Sequence, residues 1–199
     1  MFQRILVPVD GSAPSGLALA AAVRLAGATQ GRIRLIHLFD PLDHLRGFEH
    51  GVQPLDHARA NARALVDAAL AGPGAAGIVA DGVVLDLPGQ RLGEVVADAT
   101  VAFSADLIVV GTAGRRGVGR MLLGSGAEQV IRLARIPVLA VRDPRPISAP
   151  LDLAQAAARR LGEDAGSNTF RSPPMFKRIL VPVDGSDTST KALVTALQL

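Results

Sequence analysis

The 199-residue sequence contains no cysteine, tryptophan or tyrosine, and aromatic residues make up only 3% of it. The absence of cysteine excludes disulfides, thiolate nucleophiles and thiolate metal sites. The four histidines, at positions 37, 44, 50 and 57, lack the tight spacing of metal ligands. Few aromatic side chains means few surfaces on which unpaired bases can stack, and the net charge is only +3. Nucleic-acid binding is therefore not expected.

Long apolar runs are also absent. The strongest, residues 107–110, has the length of a strand and falls far short of the roughly 18 residues of a membrane span. The opening residues MFQR lead directly into a strand-like run, which is not the pattern of a secretory signal. We expect a soluble, cytoplasmic protein without membrane contact.

The chain repeats itself. Sixteen of the 25 positions are identical when residues 1–25 are aligned with residues 175–199, here called the first copy and the second copy. The stretch RILVPVDGS occurs unbroken at residues 4–12 and at residues 178–186. We predict one complete domain over residues 1–142. A proline- and glycine-containing linker with a short helix at residues 151–161 is predicted over residues 143–174.

The second copy, residues 175–199, is predicted to be the truncated start of another domain, with one strand and one helix. A lone strand and helix cannot bury their own apolar faces. We therefore expect the second copy to be a mobile tail of a tandem protein, without a second nucleotide site of its own.

Strand-like and helical patterns alternate along residues 1–142. Strands are predicted at residues 4–9, 32–38, 77–85, 107–110 and 137–141, and helices at residues 14–26, 55–71, 88–104 and 120–134. This alternation favours a parallel sheet covered by helices on both faces. Loops and helix N-termini then meet at the carboxyl edge of the sheet, where we expect any site to lie.

Glycines follow the fourth strand in a pattern that suits a phosphate group. Gly111 and Gly114 come directly after the strand, and Gly124 and Ser125 precede the next helix. Glycine lets the backbone approach an anion closely, and a helix N-terminus favours negative charge. Arginines at positions 115, 116 and 120 add positive charge between them. The alternative is that these glycines only form turns, and the Walker lysine is absent.

The blocks RILVPVDGS, ADLIVVGTAGRRG and LLGSGAEQVIRLARIPVLAVR resemble the universal stress protein family over residues 1–142. The spacing G-x2-G-x9-G-[S/T] is that of the ATP-binding subclass. The resemblance implies an α/β, Rossmann-like fold with a five-stranded parallel sheet of order 3-2-1-4-5. It also implies ATP with Mg²⁺ as ligand, and a homodimer formed through the strand at residues 137–141.

Individual binding positions follow from the same resemblance. Asp10 is expected near the phosphate-bound metal ion, or else as a turn or helix-capping residue, and Leu38 against the adenine, or else in the core. The expected nucleotide-binding set is Pro8, Val9, Asp10, Leu38, Val110, Gly111, Gly114, Gly124, Ser125, Gly126 and Ala127. Ala127 and Gly126 depart from the family pattern, which often has a hydroxyl residue and a β-branched residue there; this predicts weaker but retained ATP binding. His37 is expected to be a buried core residue.

Three functions remain open on the sequence. The first is an ATP-binding regulatory module in stress adaptation, the second a slow ATP hydrolase, and the third a dimerising scaffold without nucleotide. No catalytic residue is assigned, because no dedicated general base is recognisable and the sequence therefore points away from an enzyme.

Overall fold

The computed structural model describes residues 2–42, 54–112, 123–142, 176 and 179–197. Helices and strands alternate along these residues, and none of the helices described is long and apolar enough to cross a membrane. In chain order the elements are β1 Arg4–Pro8, α1 Ala13–Thr29, β2 Arg32–Phe39, α2 Leu55–Ala75, β3 Ala80–Asp86, α3 Leu92–Phe103, β4 Leu107–Gly111, α4 Ser125–Leu133, β5 Val138–Val141 and α5 Asp187–Ala196.

The five strands form one parallel sheet in the order β3-β2-β1-β4-β5. This confirms the predicted α/β fold and strand order. β1 and β4 lie inside the sheet with helices on both faces, so their sequences are almost uninterrupted runs of aliphatic residues. Because every strand points the same way, the carboxyl ends of β1, β2 and β4 lie along one edge.

Two core clusters sandwich the sheet. Ile5 and Val7 of β1 pack on the face covered by α1 and α2. Leu6 points to the opposite face, where it packs with Val96 of α3 and Val130 of α4. Burying each such side chain stabilises the fold by about 1.5–3 kcal/mol. The strand alternation of β1 thus ties both helical layers to the centre of the sheet.

Element boundaries differ from prediction around β3 and at two helix starts, since α3 begins at Leu92 instead of residue 88 and α4 at Ser125 instead of residue 120. The glycines and Pro73 predict an end for α2 near residue 71, yet the helix continues to Ala75 with Pro73 buried inside it. Gly77 then turns the chain with a φ of 68°, a conformation that glycine adopts without strain. β3 therefore starts at Ala80 instead of residue 77. The predicted linker helix at residues 151–161 lies outside the described residues.

An ion pair joins β2 to β3 near their amino ends. Arg34 Nε donates to Asp81 Oδ1 over 2.7 Å, and the guanidinium lies 4.5 Å from the centre of the Phe103 ring. The hydrogen bond from Arg34 lowers the pKa of Asp81, against the opposing effect of partial burial. The pair fixes the edge strand β3 on the face that α3 covers only in part.

The second copy forms its helix but not its predicted strand. α5 spans Asp187–Ala196, whereas residues 179–184 belong to no strand. A helix satisfies its backbone hydrogen bonds internally, while a strand needs a neighbour. No residue of α5 is buried. Phe176, by contrast, packs against the core cluster that contains Phe2, as does Val141.

Candidate functional site

A tight loop links β1 to α1 at the carboxyl edge of the sheet. The backbone N–H of Ser12 donates to Asp10 Oδ1 over 2.9 Å, and Gly11 turns the chain with a φ of 77°. Ser12 Oγ accepts the N–H of Ser15 over 3.3 Å and so caps α1. Asp10 therefore acts as a turn residue, which is one of the two roles expected from the sequence, and it lies at the carboxyl edge of the sheet.

The end of β2 supports this loop from the side. The N–H of Val9 donates to the carbonyl of Ile36 over 2.8 Å, and His37 Nδ1 lies 2.7 Å from the carbonyl of Val9. Because a carbonyl can only accept, Nδ1 must carry the proton in this contact. His37 is buried, which confirms it as a core residue. Leu38, the next residue, is only partly buried near the end of β2.

Two backbone hydrogen bonds join Thr112, just after β4, to the start of α4 and to β5. Gly124 N–H donates to the carbonyl of Thr112 over 2.7 Å. The N–H of Thr112 in turn donates to the carbonyl of Val141 in β5 over 3.0 Å. The start of α4 is therefore fixed beside the strand end, although residues 113–122 lie between them in sequence.

Gly111 is required for packing at this junction. A Cβ on Gly111 would lie 2.5 Å from the carbonyl oxygen of Pro14 and 2.6 Å from its carbonyl carbon. Real Cβ atoms do not approach backbone so closely, so only glycine lets the first turn of α1 rest on the end of β4. This contact was not foreseen from the sequence, where Gly111 is interpreted either as part of a phosphate site or as a turn residue. The pairing of two distant segments leaves no local signal.

The N-termini of α1 and α4 differ in one respect that bears on ligand binding. α1 begins at the serine cap described above, whereas α4 begins at Gly124, which makes no side-chain capping hydrogen bond. The first N–H groups of a helix have no partner within it. In α4 they belong to Ser125, Gly126 and Ala127, where the helix dipole also favours an anion.

Gly126 and Ala127, which depart from the family pattern, both lie close to other parts of the fold. A Cβ on Gly126 would meet the Cδ2 atom of Leu92 at 2.9 Å, so this position lies close to α3. Ala127 is 5% exposed and belongs to the core cluster of Leu6 and Val130. A side chain at position 127 is therefore largely enclosed by the core.

Most of the predicted binding residues meet at one edge. Pro8, Val9 and Asp10 lie at the end of β1, Leu38 near the end of β2, Val110 and Gly111 at the end of β4, and Gly124, Ser125, Gly126 and Ala127 at the start of α4. Gly114 and the arginines at 115, 116 and 120 lie outside the described residues. Ser15 and Thr112 complete the junction and were not predicted, whereas Ser12 belongs to the Asp-Gly-Ser sequence, which indicates a turn and a helix cap.

The described part of the chain contains no group of three or more histidine, aspartate or glutamate residues that could hold a metal ion. Asp10 is a carboxylate on the loop at this edge.

Comparison with known proteins assigns the chain to a family. The model of the universal stress protein family matches residues 1–142. The chain belongs to this family. A universal stress protein of Thermus aquaticus, described from the 3′ region of a QAH/OAS sulfhydrylase, is 34% identical over 149 residues, which cover 71% of this chain and 100% of that protein.

Two solved structures with the same fold carry adenine nucleotides. A universal stress protein in complex with cAMP is 23% identical, with a TM-score of 0.54, and the match covers 71% of this chain and 97% of that one. A universal stress protein of Archaeoglobus fulgidus in complex with dAMP is 22% identical, with a TM-score of 0.53, covering 69% and 96%. At these identities the likeness establishes the fold.

Proposed function

We propose that residues 1–142 form an ATP-binding regulatory module of the universal stress protein family, in which the bound nucleotide acts on the edge of the sheet. The observation that carries the proposal is the N-terminus of α4, which has no side-chain cap and is held beside the end of β4 by the Gly124–Thr112 hydrogen bond. The adenine nucleotides named in the two solved relatives support the same ligand class.

In this proposal the phosphates lie at the start of α4. The N–H groups of the first turn, which have no partner among the described residues, and the hydroxyl of Ser125 supply hydrogen bonds, and the helix dipole adds a favourable field. Gly124 and Gly126 present no side chain there. Gly114 completes the family's glycine spacing. Ala127 offers no hydroxyl to the phosphates, and because its side chain packs in the core cluster of Leu6 and Val130, only its N–H is available to them.

The base and ribose lie across the ends of β1 and β2. Pro8 and Val9 line the end of β1, Leu38 offers a partly buried apolar surface to the adenine, and Val110 closes the β4 side. Both peptide groups of Val9 have partners within the protein, the carbonyl of Ile36 and the ring of His37. The strand end is thus rigid before the ligand arrives, which lowers the ordering cost of binding.

Mg²⁺ enters this proposal with the nucleotide. It keeps several waters and binds through one or two carboxylates together with phosphate oxygens. Asp10 is the carboxylate at this edge, and its Oδ1 already accepts the N–H of Ser12, which fixes its orientation. Bound to the phosphates, the ion neutralises their charge and so reduces the repulsion between them and Asp10.

The first experiment identifies the nucleotide and its fate. The purified full-length chain is denatured, the released nucleotide is identified by mass, and the same sample is assayed for turnover. ATP released without turnover supports the regulatory module. ADP with sustained phosphate release would show a hydrolase, and no nucleotide with no ATP affinity would show a scaffold.

Calorimetry tests the position of the phosphates. We expect Gly114→Val to lower ATP affinity at least tenfold, because the new side chain occupies space that the phosphates need. Gly74→Val is the matched control, since a Cβ at position 74 meets nothing within 4 Å. Equal ATP affinity of Gly114→Val and the parent chain would refute the phosphate assignment.

We further propose a homodimer formed through residues 137–141, which include β5 at one edge of the sheet. An apolar edge strand offers unpaired peptide groups to a second copy. Thr112 connects the proposed nucleotide site with the proposed dimer edge. Its carbonyl accepts the N–H of Gly124, and its N–H donates to the carbonyl of Val141 in the edge strand. Nucleotide binding at α4 can therefore alter the dimer edge.

Sedimentation with and without ATP tests this link. We expect Val141→Asp to shift the population to monomer, and ATP to change the dimer dissociation constant of the parent chain. Val101→Asp is the control, since Val101 lies on α3, far along the chain from β5, and is 77% exposed. A parent chain that stays monomeric at micromolar concentration would contradict the dimer proposal.

A further inference from the structure

The two copies of RILVPVDGS are buried to opposite extents. In β1, Leu6 is 0% exposed at the centre of the sheet. Its equivalent in the second copy, Leu180, is 94% exposed, and Val183 is 63% exposed. The same apolar sequence is therefore packed in the core at one place and largely exposed among the described residues at the other.

Substitutions between the copies avoid the positions that β1 and α1 bury. Eleven of the residues from 2 to 25 are buried, and ten of them are identical in the second copy. The remaining one exchanges Val23 for Leu197, which is also apolar. The ten shared positions are Phe2, Ile5, Leu6, Val7, Pro8, Val9, Ser15, Ala18, Ala22 and Leu25. The second copy thus retains the surface that the rest of the first domain contacts.

The second copy also has the turn geometry of the first. Ser12 and Ser186 both have φ −76° and ψ 157°, and both cap the helix that follows. Gly185 has a φ of 83°, close to that of its equivalent in the first copy. The Ser186 N–H donates to Asp184 Oδ1 over 2.9 Å, as Ser12 does to Asp10. Hydrogen bonding to Ser186 lowers the pKa of Asp184 to about 2.

The chain is long enough for the second copy to reach the centre of the sheet. Thirty-three residues separate Arg142, just after β5, from Phe176. β1 lies two strands from β5, which is about 10 Å at the usual strand spacing. A returning connection between parallel strands needs about a dozen residues, so the length suffices. Phe176 already contacts the core cluster around Phe2, on the face covered by α1.

From these observations we propose that the second copy is a spare β1–α1 unit, able to take the place of residues 2–25 in the sheet of the same chain. The exchange requires no threading, because residues 2–25 precede every other element of the domain. The first copy normally holds the position, since only Gln30 and Gly31 join α1 to β2 and this short connection keeps β1 in place. The inference concerns the fold and does not depend on the nucleotide site.

A set of full-length variants tests the exchange. Leu6→Asp places a charge in the centre of the sheet, which no packed core tolerates. We expect the Leu6→Asp chain nevertheless to keep a cooperative thermal transition, with residues 179–183 gaining protection from hydrogen exchange. Leu180→Asp alone should leave the transition unchanged, and Leu6→Asp combined with Leu180→Asp should abolish it. Leu6→Asp combined with Leu180→Ile is the matched control and should remain folded.

Three results would overturn the proposal. Equal behaviour of Leu6→Asp and the double aspartate variant, whether both fold or both unfold, would show that the second copy does not substitute. A large loss of stability from Leu180→Asp alone would show that the second copy is already an integral part of the fold. Retained folding of Leu6→Asp without new protection at residues 179–183 would show that β1 tolerates the charge in place.

Discussion

The first copy and the second copy share one sequence and differ in structure. Residues 5–8 lie in β1 between two neighbouring strands, whereas residues 179–182 belong to no strand. The Asp-Gly-Ser loop and the helix cap, in contrast, have the same form in both. The loop and the helix cap are therefore determined by the shared residues themselves, whereas the strand forms only where the rest of the domain supplies a partner strand.

This difference has a physical basis. The hydrogen bonds of the loop join residues two to five positions apart, so little chain entropy is lost when they form. A strand satisfies its peptide groups only through another segment of chain. The position of Asp10 therefore depends on both kinds of interaction. The local hydrogen bonds of the loop orient its carboxylate, and the pairing of β1 with its neighbouring strands places the loop at the carboxyl edge of the sheet.

The largest effect that separates the copies is expected from Gly111→Ala. The new methyl group would press against the backbone of Pro14 in the first copy, whereas the helix of the second copy, α5, has no buried residue. We expect the first domain to lose about 1–3 kcal/mol of stability, or roughly 2–4 °C of melting temperature per kcal/mol.

Gly74→Ala serves as the control for this substitution, because a Cβ at position 74 has open space. It lies in a helix, where alanine is preferred over glycine, so its melting temperature should not fall. If Gly111→Ala melted with the parent chain, the junction between α1 and β4 would be looser than the distances indicate.

The same division explains how much the sequence predicts. The strand order and most helices follow from apolar patterns, and the cap at Ser12 follows from its residue type. The end of α2 was missed because Pro73 usually stops a helix, yet here it is buried and tolerated. The contact between Gly111 and Pro14 involves residues nearly a hundred positions apart, and no pattern in either segment indicates it.

A smaller effect should come from removing the cap in each copy in turn. Ser12→Ala deletes the acceptor for the N–H of Ser15, which costs about 1 kcal/mol in a helix that packs on the sheet. Ser186→Ala deletes the same bond to Ser189 in α5, a helix without buried residues. Calorimetric melting should therefore fall by roughly 2–4 °C for Ser12→Ala and stay constant for Ser186→Ala.

Amide exchange completes this pair of variants, because Ser186→Ala should speed exchange at the start of α5 even though the melting temperature does not change. Equal losses of melting temperature in the two variants would mean that α5 packs on the first domain as closely as α1 does.

The smallest effect is expected from deleting residues 143–199. β1 already occupies the central position, and the second copy contributes no strand to the five-stranded sheet. The melting temperature of the first domain and its ATP affinity should therefore remain nearly those of the full chain, as measured by scanning and titration calorimetry. A fall of many degrees, or strong exchange protection at residues 179–183 in the parent chain, would show instead that the second copy is packed even while β1 is in place. Both copies would then be packed, and they would differ only in the residues against which they pack.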